Sequence, residues 1–125
     1  MIKRYKFSLG LSLVILFLSL KNADSLNKVQ FLNIPHFDKM AHTGMYFALM
    51  SVIVLESLRS AINLSRILLL SIFPFLYGIL LEILQSTITT TRNGSLFDVI
   101  FNTLGILISI LLWTLILKIN NKKIR

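Results

Sequence analysis

Cysteine is absent from the 125 residues, which excludes disulfides, thiolate metal ligands and thiol nucleophiles. Acidic residues are scarce, with five Asp plus Glu against 13 Lys plus Arg and a formal net charge of +8. Imidazole comes only from His36 and His42. No HExxH or comparable spacing surrounds either, which argues against a metal, and no cofactor is expected. Ser95 lacks a nucleophile-elbow motif. A gating-charge array and a selectivity-type glycine loop are both missing, and four helices enclose too narrow an interior for a pore without oligomers. No internal repeat, second domain or soluble extension is read, so a single domain is expected over residues 1–125.

Apolar residues, in contrast, are abundant. They make up 55% of the chain, with a mean hydropathy of +0.79. A soluble domain of this size needs more polar surface. The polar residues are also bunched between long apolar blocks, unlike the mixed pattern of a soluble amphipathic helix. The expectation is an all-α membrane protein with four transmembrane helices, at about residues 5–20, 40–58, 67–84 and 96–117. The first run is short for a span and raises the alternative of a signal peptide. Lys21 would occupy a small-residue position of the cleavage site upstream of Ala23. An uncleaved span, lengthened by Tyr5 and by Lys21 snorkelling, is the favoured reading. Lys21 to Phe37 is the longest polar connection, with enough apolar content for a short interfacial helix. Pro35 suits a helix start, whereas Pro74 lies inside the third span, where membrane helices tolerate it. Asn93-Gly94 signals a turn between the last two spans.

Basic residues set the orientation. With the N-terminus inside, the inner segments hold nine of them: Lys3, Arg4, Lys6, Arg59, Arg66, Lys118, Lys122, Lys123 and Arg125. The outer segments hold Lys21, Lys28, Lys39 and Arg92. The positive-inside rule then predicts both termini in the cytoplasm. The same distribution accounts for the basic charge without nucleic acid as a partner.

That topology brings polar groups from three spans to one depth, at the outer face. Asp38 and His42 are four apart on one helix face, and Tyr46 continues the stripe. Glu82 and Gln85, three apart, end the third span, and Asp98, Asn102 and Gly105 open the fourth. Ionisable groups in or beside a span are costly and point to function. Structural roles compete with this reading. Asp98 follows Ser95 at capping-box spacing, and Asp38 sits where a helix dipole favours an anion. Gln85 and Asn102 suit interhelical hydrogen bonds, Gly105 suits close helix contact, and a lone histidine is commonly a packing residue. Glu82 lies within an apolar run and needs a partner such as Arg92, or a proton.

These residues carry a resemblance. Asp38-Lys39-Met40-Ala41-His42 followed by Tyr46-Phe47 resembles the opening motif of the VanZ-like family. Leu81-Glu82-Ile83-Leu84-Gln85, then Arg92-Asn93-Gly94-Ser95, Asp98 and Asn102-Thr103-Leu104-Gly105, resembles its second motif. The match covers roughly Asp38 to Leu117, and it departs at Thr87 to Thr91, where the family often has a proline before the arginine. The resemblance implies a small multi-pass protein of the bacterial cytoplasmic membrane. Its founding member is associated with resistance to the glycopeptide teicoplanin, which reaches this chain only by analogy.

Three functions stay open. The favoured one is binding or modulation of a cell-envelope component, either a lipid headgroup or an envelope precursor, in the outer polar pocket. Its ligand-binding candidates are Asp38, Lys39, His42, Glu82, Gln85, Arg92, Asp98 and Asn102, with Arg92 suited to a phosphate or carboxylate. The second is an intramembrane enzyme using His42, Glu82 and Asp98 as an acid/base set or an N/O metal site. The third is a structural or assembly subunit of a membrane complex. Membrane lipids are the expected partners in each case, with an envelope precursor or a second membrane protein in addition. Ligand and oligomeric state are not encoded legibly.

Overall fold

A computed structural model describes residues 2–20, 37–88 and 96–124, with the side chains of 37, 38 and 124 excepted. Among the described residues there are four helices and no strand: α1 (Lys6–Leu20), α2 (Phe37–Ser57), α3 (Leu64–Ile88) and α4 (Leu96–Ile124). The expected interfacial helix after Lys21, the Asn93-Gly94 turn and Arg92 lie outside the described residues, as does the side chain of Asp38.

Length and composition qualify α2, α3 and α4 to cross a membrane. At about 1.5 Å per residue, their 21, 25 and 29 residues reach about 32, 38 and 44 Å, against a hydrocarbon core of about 30 Å. The excess in α4 carries Lys118, Lys122 and Lys123 past the apolar run. α1 has 15 residues and is shorter than that core. α3 extends beyond the expected 67–84 at both limits, and α4 runs beyond the expected 117.

Sequence patterning puts polar groups inside and carbon outside. The buried face of α1 is Ser8, Ser12, Ile15 and Ser19, spaced at helical intervals, whereas Phe7, Leu13 and Phe17 are about two-thirds exposed. Leu69, Leu76, Leu111 and Leu115 are likewise exposed on α3 and α4. Lipid tails are as apolar as leucine, so such helices associate through close packing and hydrogen bonds rather than by burying hydrocarbon. α2 is the least apolar of the three long helices because it lies centrally and carries His42, Ser51, Glu56 and Ser57. It meets each of the other three.

The most extensive interface joins α2 and α4. Gly105 makes it possible: a Cβ at that position would lie 2.2 Å from the Thr43 carbonyl oxygen and 3.0 Å from the Phe47 nitrogen. Thr43 Oγ1 donates to the Phe101 carbonyl at 3.2 Å, and the Ser51 and Ser109 hydroxyls pair at 2.9 Å. This is the close helix contact expected of Gly105. Below it lies the apolar core, with Ile15, Leu49, Met50, Val54, Ile67, Leu81 and Ile106 all buried.

The antiparallel order pairs the helix ends. The start of α1 meets the end of α2, where the Glu56 carboxylate accepts from Phe7 N (2.8 Å), Ser8 N (3.1 Å) and Ser8 Oγ. It thereby caps the first turn of α1, whose free N–H groups favour an anion. Arg4 adds bonds to the Ser57 carbonyl (3.2 Å) and to Ser60 Oγ (2.6 Å), and the Tyr5 and Ser57 hydroxyls meet at 3.1 Å. At the opposite end, α2 and α4 begin where α1 and α3 finish.

Candidate functional site

Three helices contribute one buried polar cluster at that second end. His42 lies in the second turn of α2, Glu82 near the last turns of α3, and Asp98 in the first turn of α4. All three are buried, with relative exposures of 3, 6 and 7%. One donor atom from each falls within 4.8 Å of the others. His42 Nδ1 stands 3.7 Å from Glu82 Oε1. The same nitrogen is 2.8 Å from Asn102 Oδ1, so an Nδ1–H donates to the Asn102 amide oxygen. Spacing explains the convergence. Asn102 follows Asp98 by four residues, which puts both on one face of α4, turned towards α2 and α3.

Beneath the cluster is a second polar layer. Tyr46 is 1% exposed, one turn below His42 on α2. A Cβ at Gly78 of α3 would sit 3.2 Å from both Tyr46 Cε1 and Asn102 Nδ2. Glycine at 78 therefore makes room for Tyr46 and Asn102 side by side, one turn from Glu82. Tyr46 Oη and Asn102 Nδ2 are both buried without a hydrogen-bond partner among the described residues. Burying such groups unpaired costs about 1–3 kcal/mol each, so their presence together is chemically informative.

The remaining expected site residues separate into groups. Gln85 donates to the Ser19 carbonyl at 2.6 Å, which ties α3 to the end of α1 in the helix-joining manner considered for it. Lys39 is half-buried, with Nζ 5.3 and 5.7 Å from the ring centres of Phe97 and Phe101. It points along α4 on the outside of the cluster rather than into it. Asp38 occupies the first turn of α2, and Arg92 falls outside the described residues. An open groove of about 420 Å³ flanks the α2–α4 contact, lined by Met40, Gly44, Phe47, Phe101, Leu104 and Ile108. It shares no residue with the cluster and is formed by the opposite face of α2.

Sequence reasoning placed Tyr46 on the stripe with His42 but gave it no role; its burial against Gly78 supplies one. The Glu56 cap on α1 was not anticipated. A carboxylate in the last turn of a helix, where the dipole disfavours it, was the available signal.

Among the described residues, four helices, three of them able to span a bilayer, with polar groups turned inward and hydrocarbon outward, define a helical membrane protein. The family model described as VanZ/LLP1 matches residues 3–117, and the chain belongs to that family. No curated protein and no solved structure matches the chain.

Proposed function

We propose that this VanZ-family protein binds the phosphate-bearing headgroup of a membrane lipid or lipid-linked envelope precursor in the cluster of His42, Glu82, Asp98 and Asn102. The observation that carries this reading is the burial of an imidazole, two carboxylates and two unsatisfied polar atoms near one end of an otherwise hydrocarbon-covered bundle. Helix packing would be served by groups that satisfy one another, as Ser51 and Ser109 do. Tyr46 Oη and Asn102 Nδ2 are donors awaiting an acceptor, and phosphate oxygens are strong ones. Arg92, four residues from either helix end in the sequence, would supply a planar cation for the same group. By the positive-inside count this end would lie at the outer face of the cytoplasmic membrane. Engagement of a precursor there is the route by which the chain would alter teicoplanin susceptibility.

Native mass spectrometry of the delipidated chain tests the reading. A phospholipid, a polyprenyl-phosphate-linked precursor and phosphate-free diacylglycerol are added separately. The expected result is retention of one or both phosphate-bearing lipids but not diacylglycerol, and loss of retention in Arg92→Ala and His42→Ala. Equal retention of diacylglycerol, or retention unaffected by Arg92→Ala, overturns it. The two phosphate arms separate a lipid headgroup from an envelope precursor. A second reading, acid/base turnover of the bound headgroup, draws support from the proximity of His42, Glu82 and Asp98. His42-dependent release of product from the same lipids is its test, and absence of release removes it.

A further inference from the structure

We infer that His42, Glu82 and Asp98 hold a divalent transition-metal ion of the Zn²⁺ or Mn²⁺ kind, with Asn102 orienting the imidazole. Motif spacing along the chain argued against a metal, because no HExxH or comparable spacing surrounds either histidine. The fold removes that objection by taking one donor from each of α2, α3 and α4, all within 4.8 Å. One imidazole with two carboxylates is a mixed N/O set. It suits Zn²⁺, Mn²⁺ or Fe²⁺ better than Ca²⁺ or Mg²⁺, which prefer oxygen throughout.

A second observation is independent of the acidic groups. Tyr46 Oη and Asn102 Nδ2, both buried, have no hydrogen-bond partner among the described residues and lie one turn below the three donors. A water or anion on the ion's open coordination positions would accept from them. Asn102 reaches His42 Nδ1 through its oxygen, and this type of contact sets which ring nitrogen carries the proton. Asn102 is thus a positioning residue. The ion also deepens the headgroup reading, since a cation between carboxylates and phosphate turns repulsion into a bridge. Its binding does not depend on that reading and is measured without lipid.

The experiment uses the full chain in detergent, stripped with EDTA and delipidated, then titrated with Zn²⁺, Mn²⁺ and Mg²⁺ under calorimetry, with bound metal counted after desalting. One Zn²⁺ or Mn²⁺ per chain is expected, with Mg²⁺ much weaker. Glu82→Gln and Asp98→Asn should each lose at least tenfold in affinity, and Asn102→Ala about 10–100-fold. Glu56→Gln, at the other end of the bundle, should bind as the unaltered chain does. Absence of saturable binding, or binding unchanged in both Glu82→Gln and Asp98→Asn, overturns the proposal. If those variants fail to fold, pulsed electron paramagnetic resonance of Mn²⁺ on the His36→Ala chain decides. Coupling to a ¹⁵N-labelled imidazole is expected, and its absence overturns the site. Metal binding without lipid retention would sink the headgroup reading and leave the ion standing.

Discussion

Replacing Gly105 with alanine should separate the two helices that carry most of the cluster. The added Cβ would lie 2.2 Å from the Thr43 carbonyl oxygen, and ordinary contact begins at 3.4 Å, so α2 and α4 must part by about 1.2 Å there. The obstacle is backbone on a packed helix, not the end of a flexible side chain, so rotamer changes cannot relieve it. Overpacking of this kind costs about 1–3 kcal/mol. Parting the helices also stretches three contacts: Thr43 to Phe101, Ser51 to Ser109, and His42 to Asn102. Interhelical hydrogen bonds in membranes average about 0.6 kcal/mol each, so the three add about 2 kcal/mol. The expected loss is therefore about 3–5 kcal/mol. Gly44→Ala is the control, because no atom lies within 4 Å of a Cβ built there. Both variants are unfolded in mixed micelles of increasing SDS fraction, with Trp113 fluorescence and circular dichroism as readouts. If Gly105→Ala unfolds at the same SDS fraction as Gly44→Ala, the close α2–α4 crossing is wrong, and with it the alignment of His42 with Asn102.

Glu56→Ala removes the acceptor for Phe7 N, Ser8 N and Ser8 Oγ. By the usual value of a helix cap it should cost about 1 kcal/mol, with faster amide exchange in the first turn of α1 and no change around His42. Gln85→Leu removes the bond to the Ser19 carbonyl. Exchange at the end of α1 should rise, and stability should fall by about 1 kcal/mol; unchanged exchange would refute the tie between α3 and α1.

Much of this arrangement is legible along the chain because a bilayer imposes simple rules. Backbone groups in hydrocarbon must be satisfied within helices, so each long apolar run becomes one. Polar residues then have to face inward, and spacings such as His42–Tyr46 and Asp98–Asn102 announce which side that is. Gly105 was readable for the same reason, as a small residue on that inward side. What could not be read is which inward group meets which. The partner of Gln85 is a backbone carbonyl 66 positions away, and Glu56 caps a helix 48 and 49 positions earlier. Neither contact leaves a local pattern. The gathering of His42, Glu82 and Asp98 at donor distance likewise depends on how α2, α3 and α4 rotate against one another, and Gly78 and Gly105 allow the close approach that goes with it.

The most direct test of the headgroup account is the distance from His42 to lipid phosphorus. The chain has two histidines, His36 and His42, so ¹⁵N-imidazole signals in phospholipid bilayers are assigned by their loss in His42→Ala. Solid-state ¹⁵N–³¹P recoupling should dephase the His42 imidazole through a nearby phosphate, and the dephasing should disappear in Arg92→Ala. A His42 signal untouched by phosphorus, in bilayers containing each candidate lipid, would contradict a headgroup in the cluster.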